Sequence, residues 1–94
     1  MIRTFKGKWA ELILIGRQVP KGFPADVAGV ARRKLVQLNN ANALQDLAAP
    51  PGNRLEALKG DLVGRHSIRI NSRWRIVFRW SPAGPGEVEI VDYH

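Results

Sequence analysis

The sequence has no cysteine, and its 94 residues include only two histidines and one methionine. The absence of cysteine excludes disulfides and cysteine-ligated zinc. His66 and His94 do not make a usual metal site, because no carboxylate spacing completes one. No apolar run approaches the roughly 18 residues that a membrane-spanning helix needs, and residues 1–6 lack the apolar region of a signal peptide. We therefore expect a soluble, cytoplasmic protein that needs no metal or other cofactor.

Positive charge is what the chain has in excess. Fifteen Lys and Arg residues stand against eight Asp and Glu, which gives a formal charge of +7 and a sequence pI of about 10.9. A balance this basic favours a polyanionic partner, although a merely soluble basic surface is the alternative. Hydrophobic residues make up 45% of the chain, which indicates a packed core, and the length suits one domain over residues 1–94.

The first half of the chain has the apolar periodicity of helices. Spacing over residues 8–18 matches one helix face, and the additional apolar residues Leu14 and Ile15 predict that this helix is largely covered. A second helix is predicted to begin near Pro24, which suits a first helical turn, and to end at residues 39–40. Its predicted buried stripe comprises Val27, Val30, Ala31, Leu35 and Leu38.

The second half is typical of strands. Strands are predicted over residues 54–59, 66–70, 73–80 and 87–93, with a short one over 1–5, a loop at 50–53 and a Pro/Gly turn at 81–86. Ile68 and Ile70 share a face with Trp74 only if the connecting loop is odd in length, so we predict either a three-residue loop at 71–73 or a β-bulge nearby. The fold class is therefore α+β, with two N-terminal helices packed on one face of an antiparallel β-sheet.

The other face of the predicted sheet gathers arginines. Arg69, Arg73, Arg75 and Arg79 fall there by alternation. Guanidinium groups match phosphate with paired donors, and several like charges close together favour a counter-charge such as an anionic substrate or Glu89. An ordinary polar solvent face is the alternative. We favour phosphate binding.

The chain ends in a carboxylate, a phenol and an imidazole, Asp92-Tyr93-His94. Such groups at a strand end can act as general acid and base, whereas a frayed polar tail is the alternative. Lys59 and Glu56 are, by themselves, ordinary solvated residues.

Four segments carry a family resemblance: Pro51-Gly52-Asn53-Arg54-Leu55-Glu56-Ala57-Leu58-Lys59-Gly60-Asp61, Ser67-Ile68-Arg69-Ile70-Asn71, Trp74-Arg75-Ile76-Val77-Phe78-Arg79-Trp80 and Val91-Asp92-Tyr93-His94. In this order they resemble the HigB toxins of the RelE superfamily, also called plasmid-maintenance killer proteins. The resemblance implies a RelE-like fold and a type II toxin that cuts mRNA on the translating ribosome. It also implies a cognate helix-turn-helix antitoxin of the HigA type, with promoter DNA bound only through the toxin–antitoxin complex.

The resemblance also implies which residues act. Lys59 and Arg75 match family residues at the scissile phosphate, and Asp92, Tyr93 and His94 match the terminal catalytic group. Glu56 stands where some members have histidine, so either Glu56 takes part in proton transfer or the other groups suffice. With Arg69, Arg73 and Arg79, Glu56 completes the predicted substrate-binding set.

The implied reaction is metal-independent attack of the mRNA 2′-OH on the adjacent phosphorus, with Tyr93 and His94 transferring protons. The sequence offers no evident aromatic stacking platform for free RNA, so we expect basic residues such as Arg32, Arg33 and Lys34 to dock on ribosomal RNA. Two alternatives stay open. One is a module that binds RNA or the ribosome without cutting it, and the other is an inhibitor of a different target, such as the DNA gyrase poisoned by ParE relatives.

Overall fold

A computed structural model describes residues 1–92 of the chain. It contains two helices, α1 (Trp9–Leu14) and α2 (Ala25–Asn40), and four strands, β1 (Glu56–Ala57), β2 (Arg65–Arg69), β3 (Trp74–Ser81) and β4 (Gly84–Asp92). Three short 3₁₀ turns lie at Leu44–Ala48, Pro51–Asn53 and Gly60–Leu62. The strands form one sheet in the order β1-β2-β3-β4, and every neighbouring pair is antiparallel. The predicted α+β class with an antiparallel sheet is therefore confirmed.

Helix α1 is shorter than its apolar pattern predicted. It ends at Leu14 rather than near residue 18, because the chain turns at Gly16 and then takes a left-handed conformation at Arg17 (φ 51°). A side chain at Gly16 would lie 2.8 Å from the Leu12 carbonyl oxygen, so the turn suits glycine. Within α1 only Glu11 is exposed, as a largely covered helix requires, whereas Ile15 follows the helix and is 66% exposed.

Helix α2 follows its sequence closely. Pro24 is its N-cap and the helix ends at Asn40, as the proline and the asparagine pair predicted. Its buried residues are Val27, Ala28, Ala31, Leu35 and Leu38, while Val30, which was assigned to the stripe, is only half-buried. Within residues 1–92, neither helix is long and apolar enough to cross a bilayer.

One hydrophobic cluster contains side chains from both helices and from the sheet. Ile13 and Leu35 belong to it together with Ile68, Ile76 and Phe78, and all five are at most 1% exposed. Three aromatic rings extend this cluster. Trp9 makes edge contacts with Phe23 at 5.2 Å and with Trp74 at 5.5 Å between ring centroids.

The β2–β3 hairpin has the predicted register. Ile68 lies opposite Ile76 and Arg69 opposite Arg75, and the Ile70 N–H donates to the Trp74 carbonyl at 2.9 Å. The loop is therefore the three residues 71–73, as the parity of the apolar residues required. The Asn71 side-chain oxygen accepts hydrogen bonds from the Arg73 and Trp74 N–H groups.

The edge strand β1 is shorter than predicted. Only Glu56–Ala57 out of the predicted 54–59 forms a strand, although the Leu58 N–H also donates to the Arg65 carbonyl at 2.9 Å. Arg54 and Lys59, at the two ends of the predicted strand, instead cap the flanking 3₁₀ turns.

Strand β4 begins at Gly84, three residues before the predicted start, so the turn is also shorter than 81–86. The pairing with β3 shifts by one residue between Val77 and Arg79. Glu87 lies in the shifted segment with a left-handed backbone (φ 48°), which is typical of a β-bulge. The bulge accommodates one extra residue in β4, so the pairing with β3 continues beyond Glu87 and the strand begins at Gly84.

The N-terminal segment is not a full strand. It makes one parallel bridge, Phe5 to Val88, and the last backbone hydrogen bond of this pairing joins the Lys6 N–H to the Val88 carbonyl at 2.9 Å. Residues 1–6 therefore run beside the outer edge of β4, and the chain then turns away through Gly7 (φ 75°).

Candidate active site

The sheet face opposite the hydrophobic cluster is largely covered rather than open to water. Arg65, Ser67, Arg75 and Val77 alternate with the core residues of β2 and β3, and each is at most 8% exposed. A buried guanidinium needs partners for its donors, because an unpaired buried charge is costly. The polar side chains of this face are therefore largely buried, which distinguishes it from an ordinary sheet face exposed to solvent.

Arg75 lies at the centre of this surface. Its Nε donates to the Ser67 hydroxyl at 2.9 Å, and one terminal nitrogen donates to the Arg54 backbone carbonyl at 2.8 Å. The same nitrogen lies 3.2 Å from a carboxylate oxygen of Glu56, in a pair whose side chains are 10% and 50% exposed. Three different segments therefore fix the plane of the Arg75 guanidinium before any ligand arrives.

The carbonyl that Arg75 contacts is presented by a strained turn. Arg54 has a left-handed backbone (φ 45°, ψ 55°) directly after the Pro51–Asn53 turn. A non-glycine residue adopts this conformation only where its surroundings hold it there. The neighbouring residue Asn53 supplies that support.

Asn53 is fully buried, and the sequence analysis gave it no role. Its amide nitrogen donates at 3.1 Å to the carbonyls of Leu47 and Ala49 and to the Gln37 side chain, while its oxygen accepts from the Lys34 ammonium. Burial lowers the pKa of Lys34, and the nearby Arg33 charge adds to this. Asn53 thus ties the turn to helix α2, and its place in a Pro-Pro-Gly-Asn run is the only sequence signal for this role.

A cavity of about 210 Å³ opens beside Arg75. Its lining consists of Arg54, Arg69, Asn71, Ser72 and Arg75. The hairpin register sets Arg69 directly opposite Arg75, and the left-handed turn brings Arg54 to the same rim. Three arginines thus surround one concavity, and guanidinium groups offer paired donors that match phosphate oxygens.

Two further predicted residues come from the edge-strand segment. Glu56 faces Arg75 as its ion-pair partner and therefore reduces the charge that Arg75 offers to an anion. Lys59 is exposed and lies immediately before the Gly60–Leu62 turn, three residues along the chain from Glu56. Its side chain is open to solvent at the same edge of the sheet.

Arg73 and Asp92 form a bidentate pair at the end of β4. Arg73 Nε lies 2.9 Å from Asp92 Oδ1, and a terminal nitrogen lies 2.7 Å from Oδ2. Hydrogen bonding to Asp92, and then its charge, hold the pKa of Arg73 above its ordinary value. Asp92 is thus anchored to the hairpin loop, whereas the predicted catalytic residues Tyr93 and His94 lie outside the described residues.

Arg79 lies at the other end of β3, away from this cavity. Its Nε is 2.8 Å from Glu87, and Arg65 lies 3.0 Å from Glu87 and 3.5 Å from Glu89. Glu89 also lies 3.8 Å from Lys6. The arginine face is therefore divided into a carboxylate-paired network at one end and an arginine-lined cavity at the other.

The fold and this surface define a class of protein: a small, strongly basic α+β domain with an arginine-lined anion site on its sheet. Among residues 1–92, no group of three or more His, Asp or Glu side chains could hold a metal ion.

Comparison with known proteins gives the family. The profile of the RelE-like toxin of the type II toxin–antitoxin system HigB matches residues 3–94, and the chain belongs to this family of HigB-like toxins. It is 40% identical over 80 residues to Toxin HigB-1 of Vibrio cholerae, covering 85% of this chain and 84% of that protein. It is 31% identical over 94 residues to Endoribonuclease HigB of Proteus vulgaris, covering both chains completely. As a toxin of a type II system, the chain has an antitoxin as its partner.

Proposed function

We propose that this chain is a cytoplasmic, ribosome-dependent endoribonuclease that stops translation by cutting mRNA. The whole of residues 1–94 forms one RelE-like domain, with both helices packed on one face of the sheet and the reaction on the other. The name of the Proteus vulgaris relative supports the nuclease activity.

The observation that carries the proposal is the fixed guanidinium of Arg75 at the rim of an arginine-lined cavity. Cleavage of a phosphodiester builds negative charge on the phosphoryl oxygens in the transition state. Donors that are already oriented stabilise this charge without reorganising, and removing one such donor from well-studied enzymes costs about 10²–10³ in rate. Arg75 is held in this way by Ser67, Arg54 and Glu56.

The proposed reaction uses the substrate's own nucleophile. The 2′-oxygen forms a bond to the adjacent phosphorus while the bond from phosphorus to the 5′-oxygen breaks. One group takes the 2′-OH proton and another gives a proton to the leaving 5′-oxygen, which leaves a 2′,3′-cyclic phosphate and a 5′-OH. We assign these transfers to Tyr93 and His94, a kind of catalysis that contributes roughly 10²–10⁴ in rate.

The remaining site residues support this chemistry. Lys59, exposed at the edge of the sheet, adds positive charge at the scissile phosphate. Asp92 orients the C-terminal pair, and its bidentate contact with Arg73 supports that role because it fixes the end of β4. Arg69 contacts a neighbouring phosphate. Glu56 lowers the positive charge that Arg75 presents to the substrate, through their ion pair, and does not need to transfer a proton.

The proposed partners are the ribosome carrying mRNA and an antitoxin of the HigA type. Arg32 and Arg33 on helix α2 supply charge for docking on ribosomal RNA, which makes binding steeply dependent on salt. Lys34, which the sequence grouped with them, is half-buried against Asn53 and is better suited to holding the turn.

Primer extension on a defined mRNA, with and without ribosomes, tests the proposal. The native chain should cut only with ribosomes, and both an Arg75→Ala variant and a Tyr93→Phe/His94→Ala double variant should lose the cuts. An Arg3→Ala variant, which removes an exposed arginine elsewhere, is the matched control and should cut normally. Intact mRNA with arrested translation would point to a non-cleaving ribosome binder. Unaffected translation would direct the search to another target such as gyrase.

A further inference from the structure

A second basic cavity lies at the opposite edge of the sheet from the Arg75 cavity. It has a volume of about 260 Å³ and is lined by Lys6, Gly7, Lys8, Trp9, Glu89 and Ile90. It opens where the N-terminal segment leaves β4, just after the hydrogen bond from Lys6 to Val88. In the sequence, Trp9 falls within the helical pattern of residues 8–18, and that pattern alone gives it no binding role.

The cavity is lined by two lysines, the Trp9 ring and the exposed main chain of Gly7. The Lys6 side chain is 54% exposed and Lys8 is exposed. A side chain placed on Gly7 would meet no atom within 4 Å, so a ligand can approach the main chain there. Cations beside a rigid aromatic ring are what proteins use to bind single-stranded nucleic acid, with phosphate on the cations and a base on the ring.

Trp9 and both lysines reach the wall of the cavity. Trp9 is half-buried and its orientation is fixed by the edge contacts with Phe23 and Trp74. The one carboxylate in the wall, Glu89, lies 3.5 Å from Arg65 as well as 3.8 Å from Lys6. Its charge is therefore shared with Arg65 and does not offset both lysines.

The strand pairing gives the distance between the two cavities. Arg75 on β3 lies opposite Val91 on β4, and the N-terminal segment runs along the outer edge of β4. Two strand spacings of about 4.8 Å each separate Arg75 from that segment across the sheet, and the three residues from Val88, where Lys6 pairs, to Val91 add roughly 10 Å along β4, which gives about 14 Å in all. A strand of a few nucleotides covers this length.

We propose that the Lys6–Lys8–Trp9 cavity binds a nucleotide of the same RNA strand, a few nucleotides away from the phosphate held at Arg75. Its phosphate contacts Lys6 and Lys8, and its base stacks on the exposed part of Trp9. The substrate strand thus crosses β3 and β4 obliquely. This assignment rests on the proposed function, because it takes the ligand to be the cleaved RNA.

The test uses the full chain and a short RNA with a 2′-deoxy nucleotide at the cleavage position, which binds without being cut. Lys8→Ala is the informative variant, since the Lys8 side chain makes no capping hydrogen bond at the start of α1. Lys21→Ala, which removes an exposed lysine elsewhere, is the matched control. We expect Lys8→Ala to lower the salt slope of binding by about 0.7 and the RNA to shift the Trp9 indole N–H signal in NMR spectra. The control should behave like the native chain.

Cleavage assays on the ribosome separate this inference from the proposed function. Lys8→Ala should raise KM while kcat stays near the native value, because Lys8 is distant from the reacting atoms. Equal salt slopes for native, Lys8→Ala and Lys21→Ala chains, with an unshifted Trp9 signal and intact cleavage, would overturn the cavity assignment and leave the nuclease standing. RNA binding through Lys8 and Trp9 by a native chain that never cuts would support the cavity and overturn the nuclease.

Discussion

Glu56 and Arg75 form an ion pair of 3.2 Å in which the guanidinium is buried and the carboxylate is half-exposed. The pair links the edge strand β1 to the central strand β3, with Ser67 of β2 between them in the sheet order. Because Ser67 and the Arg54 carbonyl also bind the Arg75 guanidinium, the ion pair with Glu56 contributes little to the orientation of that group. Its main effect is to offset the positive charge of Arg75. We therefore expect Glu56 to weaken the binding of an anion at Arg75.

Replacing Glu56 by glutamine tests this effect. The variant keeps the shape of the side chain and a hydrogen-bond acceptor but removes the negative charge. We expect RNA to bind about 2- to 5-fold more tightly at low salt, the range that a partly exposed ion pair can contribute, and the gain to shrink as salt rises. Asp26→Asn, which removes an exposed carboxylate in the first turn of α2, is the control. Unchanged affinity in both variants would show that Glu56 does not modulate the site.

The Arg73–Asp92 pair makes a second prediction. Arg73→Ala removes the anchor at the end of β4, where Asp92 leads into the proposed catalytic residues Tyr93 and His94. Misplaced catalytic groups lower kcat, by roughly 10- to 100-fold for a displacement near 1 Å, while KM should change little. Single-turnover cleavage on the ribosome measures this. Arg69→Ala, which removes a proposed substrate contact instead, should raise KM. A raised KM with native kcat in Arg73→Ala would make Arg73 a substrate-binding residue.

Local patterns predicted the parts of the fold that depend on neighbouring residues. The α2 stripe and the three-residue loop at 71–73 follow from periodicity and parity, which act over a few positions. The partners of Arg75 could not be predicted in this way, because Arg54 and Ser67 approach it only after β1, β2 and β3 pair. Sequence alternation placed Arg75 and Arg79 on one face, yet only the three-dimensional arrangement separates the cavity residue from the one paired with Glu87.

Asn53 illustrates a role that no local pattern carries. Asn53→Ala would leave the Leu47 carbonyl without its donor in a buried place, whereas the exposed Ala49 carbonyl keeps the Gln37 donor, so we expect a cost of about 1–3 kcal/mol. Urea unfolding should show a lower midpoint with an unchanged slope. Asn40→Ala, at the exposed end of α2, should unfold like the native chain. A small loss in Asn53→Ala, comparable to that control, would contradict the anchoring role of Asn53.

The lysine bound to Asn53 predicts a dependence of stability on pH. Burial, aided by Arg33, lowers the pKa of Lys34 in the folded chain below its ordinary value of 10.5, so between the two pKa values the unfolded chain binds more protons. Stability from this group therefore increases as pH rises through the lowered pKa toward 10.5, and is lost as pH falls back through it. Lys34→Arg stays charged throughout this range and removes the effect.

The measurement is the difference in urea midpoint between the native chain and Lys34→Arg, followed from about pH 8 to about pH 10.5. Other titrating groups are shared by the two chains and cancel in the difference. The stability of the native chain relative to Lys34→Arg should increase as pH rises. The Lys34 ammonium then loses the proton that burial disfavours, while its nitrogen still has an N–H to donate to Asn53. A flat difference would mean that the Lys34 charge is as well solvated in the folded chain as in the unfolded one, and that the contact with Asn53 carries no burial cost.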